Sequence, residues 1–208
     1  PMIDLTKKLP LKKDARTVLN LRPNQNILLL MPASRPQELR YILPTFMRAA
    51  KKLQQKYPSL VVYIPSCRSA FDEIFKKAFR KYQVKGLVIS QKDSAKLKPY
   101  IYSLTKIALC KSGTVNMELA LYGIPQIVGY RVSRITAFIA KKILNFKVRF
   151  ISPVNLLVNK LIIPEFVQRE FDEKKIFYKS CRIIEGKSEK IKIKKGYALL
   201  KKELGEEG

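Results

Sequence analysis

The stretch Ala108-Leu109-Cys110-Lys111-Ser112-Gly113-Thr114-Val115-Asn116-Met117-Glu118-Leu119-Ala120-Leu121-Tyr122-Gly123-Ile124-Pro125-Gln126-Ile127-Val128-Gly129-Tyr130-Arg131 reads as a buried strand, a tight turn, the start of a helix and a second strand. That order builds a place for a diphosphate. The turn Ser112-Gly113-Thr114 sets free backbone N–H groups and two hydroxyls at the positive end of a helix, where pyrophosphate binds readily. Glu118, one turn beyond Thr114, is placed to accept hydrogen bonds from ribose hydroxyls. A plainer reading stays open at this level. Ser-Gly-Thr between a strand and a helix is also an ordinary N-cap turn, and an early glutamate complements the helix dipole.

Working outward, the same alternation continues in both directions. Ile27 to Met31 is a short continuous apolar run, as expected of a strand buried on both faces. From Gln37 to Lys56, Leu39, Ile42, Leu43, Phe46, Met47, Ala50 and Leu53 recur at three and four, which predicts an amphipathic helix. Pro44 is expected to kink it or to mark its true first turn. Further strands are predicted at Leu60–Ile64, Gly86–Ile89, Ile107–Cys110 and Gln126–Gly129. Helices are predicted at 12–19, at 70–82 with Ile74, Phe75, Ala78 and Phe79 inward, at 96–104, at 115–122 and from Arg134 to about Leu144. The tail from Phe171 begins as a helix and becomes ambiguous at Lys190-Ile-Lys-Ile-Lys-Lys195. Strand and helix alternating in this way predict an α/β fold, a right-handed doubly wound parallel sheet of Rossmann-like type. Ligands of such sheets sit at the carboxyl ends of the strands, where Ser34-Arg35, Ser112 to Thr114 and Tyr130-Arg131 all fall.

Length and charge narrow the function. The 208 residues carry 42 Lys and Arg against 16 Asp and Glu, a net charge of +26, so a polyanion is the expected partner. Nucleic acid and anionic lipid head groups are the candidates. A merely lysine-rich solvated surface is the bland alternative. There is no histidine, which removes a histidine base or metal ligand. Cys67, Cys110 and Cys181 lack a Cys-x-x-Cys pair, so neither a zinc site nor a disulfide framework is indicated. No apolar run reaches the about 18 residues of a membrane span, and the first residues lack the apolar segment of a signal peptide.

The motifs together resemble the C-terminal half of the lipid-A-disaccharide synthase family. Pro1-Met2-Ile3-Asp4 resembles the family's hinge between domains. Leu30-Met31-Pro32-Ala33-Ser34-Arg35 with Glu38 is similar to its Leu-Pro-Gly-Ser-Arg-x-x-Glu loop. Ser112-Gly113-Thr114 to Glu118 and Gly129-Tyr130-Arg131 resemble its central donor motifs. Ser152-Pro153-Val154-Asn155-Leu156 and Ile163-Pro164-Glu165-Phe166-Val167-Gln168 are similar to its Pro-Asn-Leu and Pro-Glu-x-x-Gln segments. Ala33 departs from the family's glycine, so the backbone is expected either to approach a phosphate less closely there or to need a different turn. Val154 replaces a proline found in many members.

The resemblance implies the C-terminal domain of a GT-B glycosyltransferase, with residues 1–22 as inter-domain hinge, 23–170 as the nucleotide-sugar domain and 171–208 as a basic helical arm. It implies transfer of 2,3-diacylglucosamine from UDP to 2,3-diacylglucosamine 1-phosphate, lipid X, giving the β-1,6 disaccharide of lipid A, with no cofactor and no metal. The implied donor-site residues are Ser34, Arg35, Ser112, Gly113, Thr114, Glu118, Tyr130, Arg131 and Asn155. Arg35, Arg131 and Asn155 take the catalytic roles. The arginines clamp the diphosphate and stabilise the UDP leaving group, and Asn155 holds a sugar hydroxyl or a backbone group. For these three, a surface ion pair or a loop-fixing hydrogen bond is the alternative.

In the family, acceptor and catalytic base belong to an N-terminal domain absent from this sequence, which suits a fragment. Tail segments exchanged between subunits make a homodimer an expectation. A cytoplasmic protein peripheral on the inner membrane, or in an organelle of bacterial descent, is also expected. Two competitors remain: a nucleic-acid-binding module, ranked lower for want of a helix-turn-helix or RNA-recognition motif, and a catalytically inactive UDP-sugar-binding relative.

Overall fold

The computed structural model describes residues 8–133 and 149–205. The helix expected between Arg134 and Leu144 therefore lies outside the described residues. Six strands, β1 (Asn26–Met31), β2 (Leu60–Pro65), β3 (Gly86–Ile89), β4 (Thr105–Lys111), β5 (Gln126–Tyr130) and β6 (Glu165–Val167), form one sheet in the order β3-β2-β1-β4-β5-β6. Every pairing is parallel. This is the Rossmann order, with the topological switch between β1 and β4. Those two central strands carry the longest apolar runs for a physical reason. Ile27 to Leu30 and Ile107 to Cys110 are fully buried because helices cover both faces.

The helices are α1 (Lys12–Val18), α2 (Pro36–Lys56), α3 (Asp72–Tyr82), α4 (Gln91–Leu104), α5 (Val115–Leu121), α6 (Pro153–Val158), α7 (Glu173–Glu185) and α8 (Lys187–Glu203). Helix α2 starts at Pro36, whose missing N–H costs nothing in a first turn, and runs on through Pro44. Pro44 thus does not mark the first turn. Helix α4 begins five residues before the expected Lys96. Ser90 supplies the reason, since its hydroxyl accepts the Asp93 N–H at 3.2 Å and caps the helix there. In α3, Phe75, Ala78 and Phe79 turn inward as expected, but Ile74 is 42% exposed on the flank of the helix.

The ambiguous lysine-isoleucine alternation is helical. In α8 the buried face is Ile193, Gly196, Tyr197 and Leu200, a three-and-four spacing, while Ile191 points out. Helix α7 packs on α2 and buries Ile176 and Ile183, and α8 packs against α5 and α6. The Tyr197 hydroxyl donates to the Ile124 carbonyl at 2.9 Å and accepts from Gln126 Nε2 at 3.1 Å, tying α8 to the start of β5. At the other end of the chain, α1 packs on α4 and its Ala15 is fully buried. One contiguous core therefore takes residues from α1 through α8.

Candidate functional site

The carboxyl ends of β1, β4 and β5 lie side by side, as the registers Met31 with Cys110 and Lys111 with Gly129 require. Their turns form one rim. At the β4–α5 turn the organising side chain is Asn116, which is fully buried. Its Oδ1 accepts the Gly113 N–H at 2.8 Å, and its Nδ2 donates to the Lys111 carbonyl and to Gln126 Oε1, each at 3.2 Å. The Gly113 N–H is therefore spent inside the protein, a correction to the expectation of a fully free turn. The N–H groups of Thr114 and Val115 have no partner among the described residues, and Thr114 is exposed. The Ser112 hydroxyl is also committed, donating to the Ile151 carbonyl. Sequence reading passed over Asn116. An asparagine early in a strand-to-helix turn, where its amide closes back on the backbone, is the signal that marks it.

Ser34 and Arg35 follow β1 and are both exposed, with Arg35 in the N-cap position of α2. The Arg35 guanidinium has no hydrogen-bond or carboxylate partner among the described residues. Three residues on, Glu38 Oε1 pairs with Lys111 Nζ at 2.8 Å, with side chains only 11% and 20% exposed. This half-buried pair locks the start of α2 to the end of β4 and fixes where Arg35 stands relative to the Ser112 turn. Lys111 was another residue without a predicted role.

At the end of β5, Gly129-Tyr130-Arg131 does something the motif alone did not reveal. A Cβ on Gly129 would fall 2.1 Å from Phe171 Cε2 and 2.9 Å from Phe46 Cζ. Glycine leaves room for the Phe171 ring, which meets Phe46 edge-on at 5.2 Å. The Arg131 guanidinium lies 5.3 Å from the Phe171 ring centre. Its Nε and Nη2 donate to the Gln168 carbonyl at 3.2 and 2.9 Å, and Nη2 also donates to the Phe171 carbonyl. Arg131 thus fastens the chain entering α7 through its Nε and Nη2 donors. Tyr130 is half-buried at the rim beside it.

Asn155 is corrected in the same sense. It is fully buried. Nδ2 donates to the Ile163 carbonyl at 2.8 Å and to Glu165 Oε1 at 2.7 Å, while Oδ1 accepts the N–H groups of Ile162 at 2.8 Å and Ile163 at 3.0 Å. Every donor and acceptor of the amide is used, so the backbone alternative holds and no sugar hydroxyl is within its reach. Glu165 completes the knot by accepting the N–H groups of Ile151 and Ser152 at 2.7 and 2.9 Å.

Glu118 stands between the two behaviours. Its Oε1 pairs with Lys98 Nζ at 2.9 Å, but the two side chains are 31% and 42% exposed. The buried Tyr102 hydroxyl lies beside this carboxylate; burial first, and then the Glu118 charge, push the Tyr102 pKa up. The Tyr102 ring meets Tyr122 edge-on at 5.3 Å. Among the described residues no group of three or more His, Cys, Asp or Glu is placed to hold a metal ion. The rim offers an exposed guanidinium, open N–H groups and a half-open carboxylate. That set is chemically suited to a phosphorylated, hydroxyl-bearing ligand.

Comparison with known proteins places this geometry in a class. The fold matches WaaG, a glycosyltransferase involved in lipopolysaccharide biosynthesis, with a TM-score of 0.59 at 11% identity over 94% of this chain and 47% of that one. It matches the C-terminal CMP-Kdo binding domain of WaaA from Acinetobacter baumannii with a TM-score of 0.57 at 11% identity, over 94% and 96% of the two chains. The chain shares the Rossmann-like fold of these domains. The model of the lipid-A-disaccharide synthetase family matches residues 1–207. Lipid-A-disaccharide synthase of Prochlorococcus marinus (strain MIT 9313) is 43% identical over all of this chain and 53% of its own length. The chain belongs to the lipid-A-disaccharide synthase family, and it spans about half the length of the curated relatives it matches.

Proposed function

We propose that this chain is the donor-binding half of a lipid-A-disaccharide synthase. It holds a UDP-linked 2,3-diacylglucosamine at the carboxyl ends of β1, β4 and β5, for transfer to 2,3-diacylglucosamine 1-phosphate presented by a second, N-terminal half. The observation that carries the reading is the set of unspent donors at the topological switch: the exposed Arg35 guanidinium and the open N–H groups of Thr114 and Val115. The diphosphate sits against them. Charge developing on the UDP leaving group is offset there by fixed donors, without need of a metal or cofactor. Gly113, Ser34 and Tyr130 line the approach, and Glu118 accepts from ribose.

Of the three residues given catalytic roles by resemblance, Arg35 is the one whose side chain has no partner among the described residues, and it meets the reacting phosphate. Arg131 and Asn155 act by holding the frame. The net charge of +26 fits work at an anionic membrane surface on the cytoplasmic side, where each lysine near the bilayer adds about 1 kcal/mol. Among the described residues no helix is long and apolar enough to cross a membrane.

Calorimetric titration of the chain with UDP tests the reading, with a short DNA duplex titrated at low and at physiological salt for comparison. Saturable UDP binding that survives physiological salt is the expected result. Absence of UDP binding, with salt-sensitive DNA binding in its place, would overturn it.

A further inference from the structure

A second cationic groove lies at the opposite, amino end of the strands. Lys13, Arg16 and Thr17, spaced three and four apart, share one side of α1, and with Asn20, Leu21 and Pro23 they line a groove of about 630 Å³. The groove is broadly open to solvent. Gln25 and Asn26, which lead into the amino end of β1, adjoin it, so the groove is separated from the Arg35 rim by the length of a strand, about 20 Å.

Four of the six lining residues, Lys13, Arg16, Thr17 and Asn20, carry side-chain donors. The Arg16 guanidinium is half-buried and held by two carbonyls, Nη1 donating to Lys12 at 3.3 Å and Nη2 to Gln25 at 3.1 Å. Neither Arg16 nor Lys13 has a carboxylate partner among the described residues, and no acidic residue lines the groove. A half-buried, immobilised cation without a counter-charge is costly unless an anion completes it. Asn20 has φ of 49°, a left-handed conformation that asparagine tolerates, and follows directly on the helix. Asn20 lines the same groove as the two cations. The excess of positive charge extends past Lys12. Burial first, and then the ammonium groups of Lys190 and Lys12, hold the Lys106 pKa below its ordinary value.

We infer that this groove is a second ligand site that takes a phosphate monoester, with Lys13 and Arg16 meeting the charge and Asn20 donating to a phosphate oxygen. The same chemistry is offered by a soluble phosphomonoester and by a phosphatidic-acid head group.

Inorganic phosphate and phosphatidylcholine vesicles with and without phosphatidic acid serve as probes, titrated against the full chain in saturating UDP so that the rim is occupied. Wild type is compared with Lys13→Gln and with Asn20→Gly, which keeps the left-handed backbone and removes no charge. Saturable binding weakened about tenfold by Lys13→Gln and about threefold by Asn20→Gly is expected. Binding of free phosphate points to a soluble ligand, and binding of the acidic vesicles alone points to a head group. No binding of either probe, or binding that Asn20→Gly leaves unchanged, overturns the inference, the latter because diffuse attraction to a basic surface does not sense a neutral amide. The contrast between wild type and these variants does not involve the rim, so failure of UDP binding leaves the result readable.

Discussion

Two halves of the rim use similar polar residues to opposite ends. On the β5–β6 side, Asn155, Glu165 and Arg131 are knotted into backbone groups, and the amide of Asn155 is exhausted. On the β1–β4 side, Ser34, Arg35 and Thr114 are exposed, and the Arg35 guanidinium has no partner among the described residues. A polar motif thus does one of two jobs. Where it is buried it has to be satisfied internally, and it then fixes the loop geometry; where it is open it keeps its donors for a ligand. The knotted side positions the open side. The Ser112 hydroxyl joins the two, donating to the carbonyl of Ile151, whose N–H Glu165 holds.

The sharpest way to break this comparison is Asn155→Ala. It strands the N–H and the carbonyl of Ile163, and takes one of two partners from the Ile162 N–H and from Glu165 Oε1. Loss of about 3 to 5 kcal/mol is expected in a urea unfolding titration, since each buried orphan costs about 1 to 3 kcal/mol. A loss below 1 kcal/mol would mean that Asn155 is not framework. Next in size is Gly129→Ala. The new methyl collides with the buried Phe171 ring, and overpacking of this kind costs about 1 to 3 kcal/mol. Melting should show the loss, with UDP affinity at low temperature changing far less than stability.

On the open side the pattern inverts. A Cβ on Gly113 would meet nothing within 4 Å among the described residues, and its φ is not left-handed, so folding does not call for glycine there. Gly113→Ala and Arg35→Ala are each expected to hold stability within about 0.5 kcal/mol of wild type. UDP binding should weaken about tenfold for Arg35→Ala, the size of a charge-assisted hydrogen bond, and measurably for Gly113→Ala. Unchanged affinity in both would remove the rim as a donor site.

The sequence made the sheet legible because hydrophobic periodicity records burial, and in a doubly wound sheet burial on both faces is the dominant constraint. Ile27 to Leu30 announced a central strand with no help from tertiary contacts. The employment of polar residues was far less legible. Nothing in Gly129-Tyr130-Arg131 tells that the arginine reaches the carbonyls of Gln168 and Phe171, 37 and 40 residues away. Nor does a lone Asn116 show that its amide lies against Gln126. Long-range polar contacts carry no local period, so a motif marks a region of a site without saying which of its members face the ligand. Helix boundaries fall between these extremes, since a short-range cap such as Ser90 with Asp93 is readable once it is looked for.

Glu118 provides the smallest and most discriminating effect, because it belongs to neither half cleanly. Its pair with Lys98 is partly exposed, and such pairs contribute at most about 1 kcal/mol. If the carboxylate is framework, Lys98→Met and Glu118→Gln should each lower stability slightly, the double variant should cost no more than either alone, and UDP affinity should not respond. If it is a ribose acceptor, the two substitutions part company. Glu118→Gln weakens UDP binding several-fold, in keeping with loss of a charged acceptor. Lys98→Met, by releasing the carboxylate from its competing partner, leaves affinity unchanged or strengthens it. Measuring all four proteins with UDP and with uracil alone sharpens the contrast further. Only ligands carrying the ribose should sense Glu118, and the open half of the rim then extends from Arg35 through Thr114 to the first turn of α5.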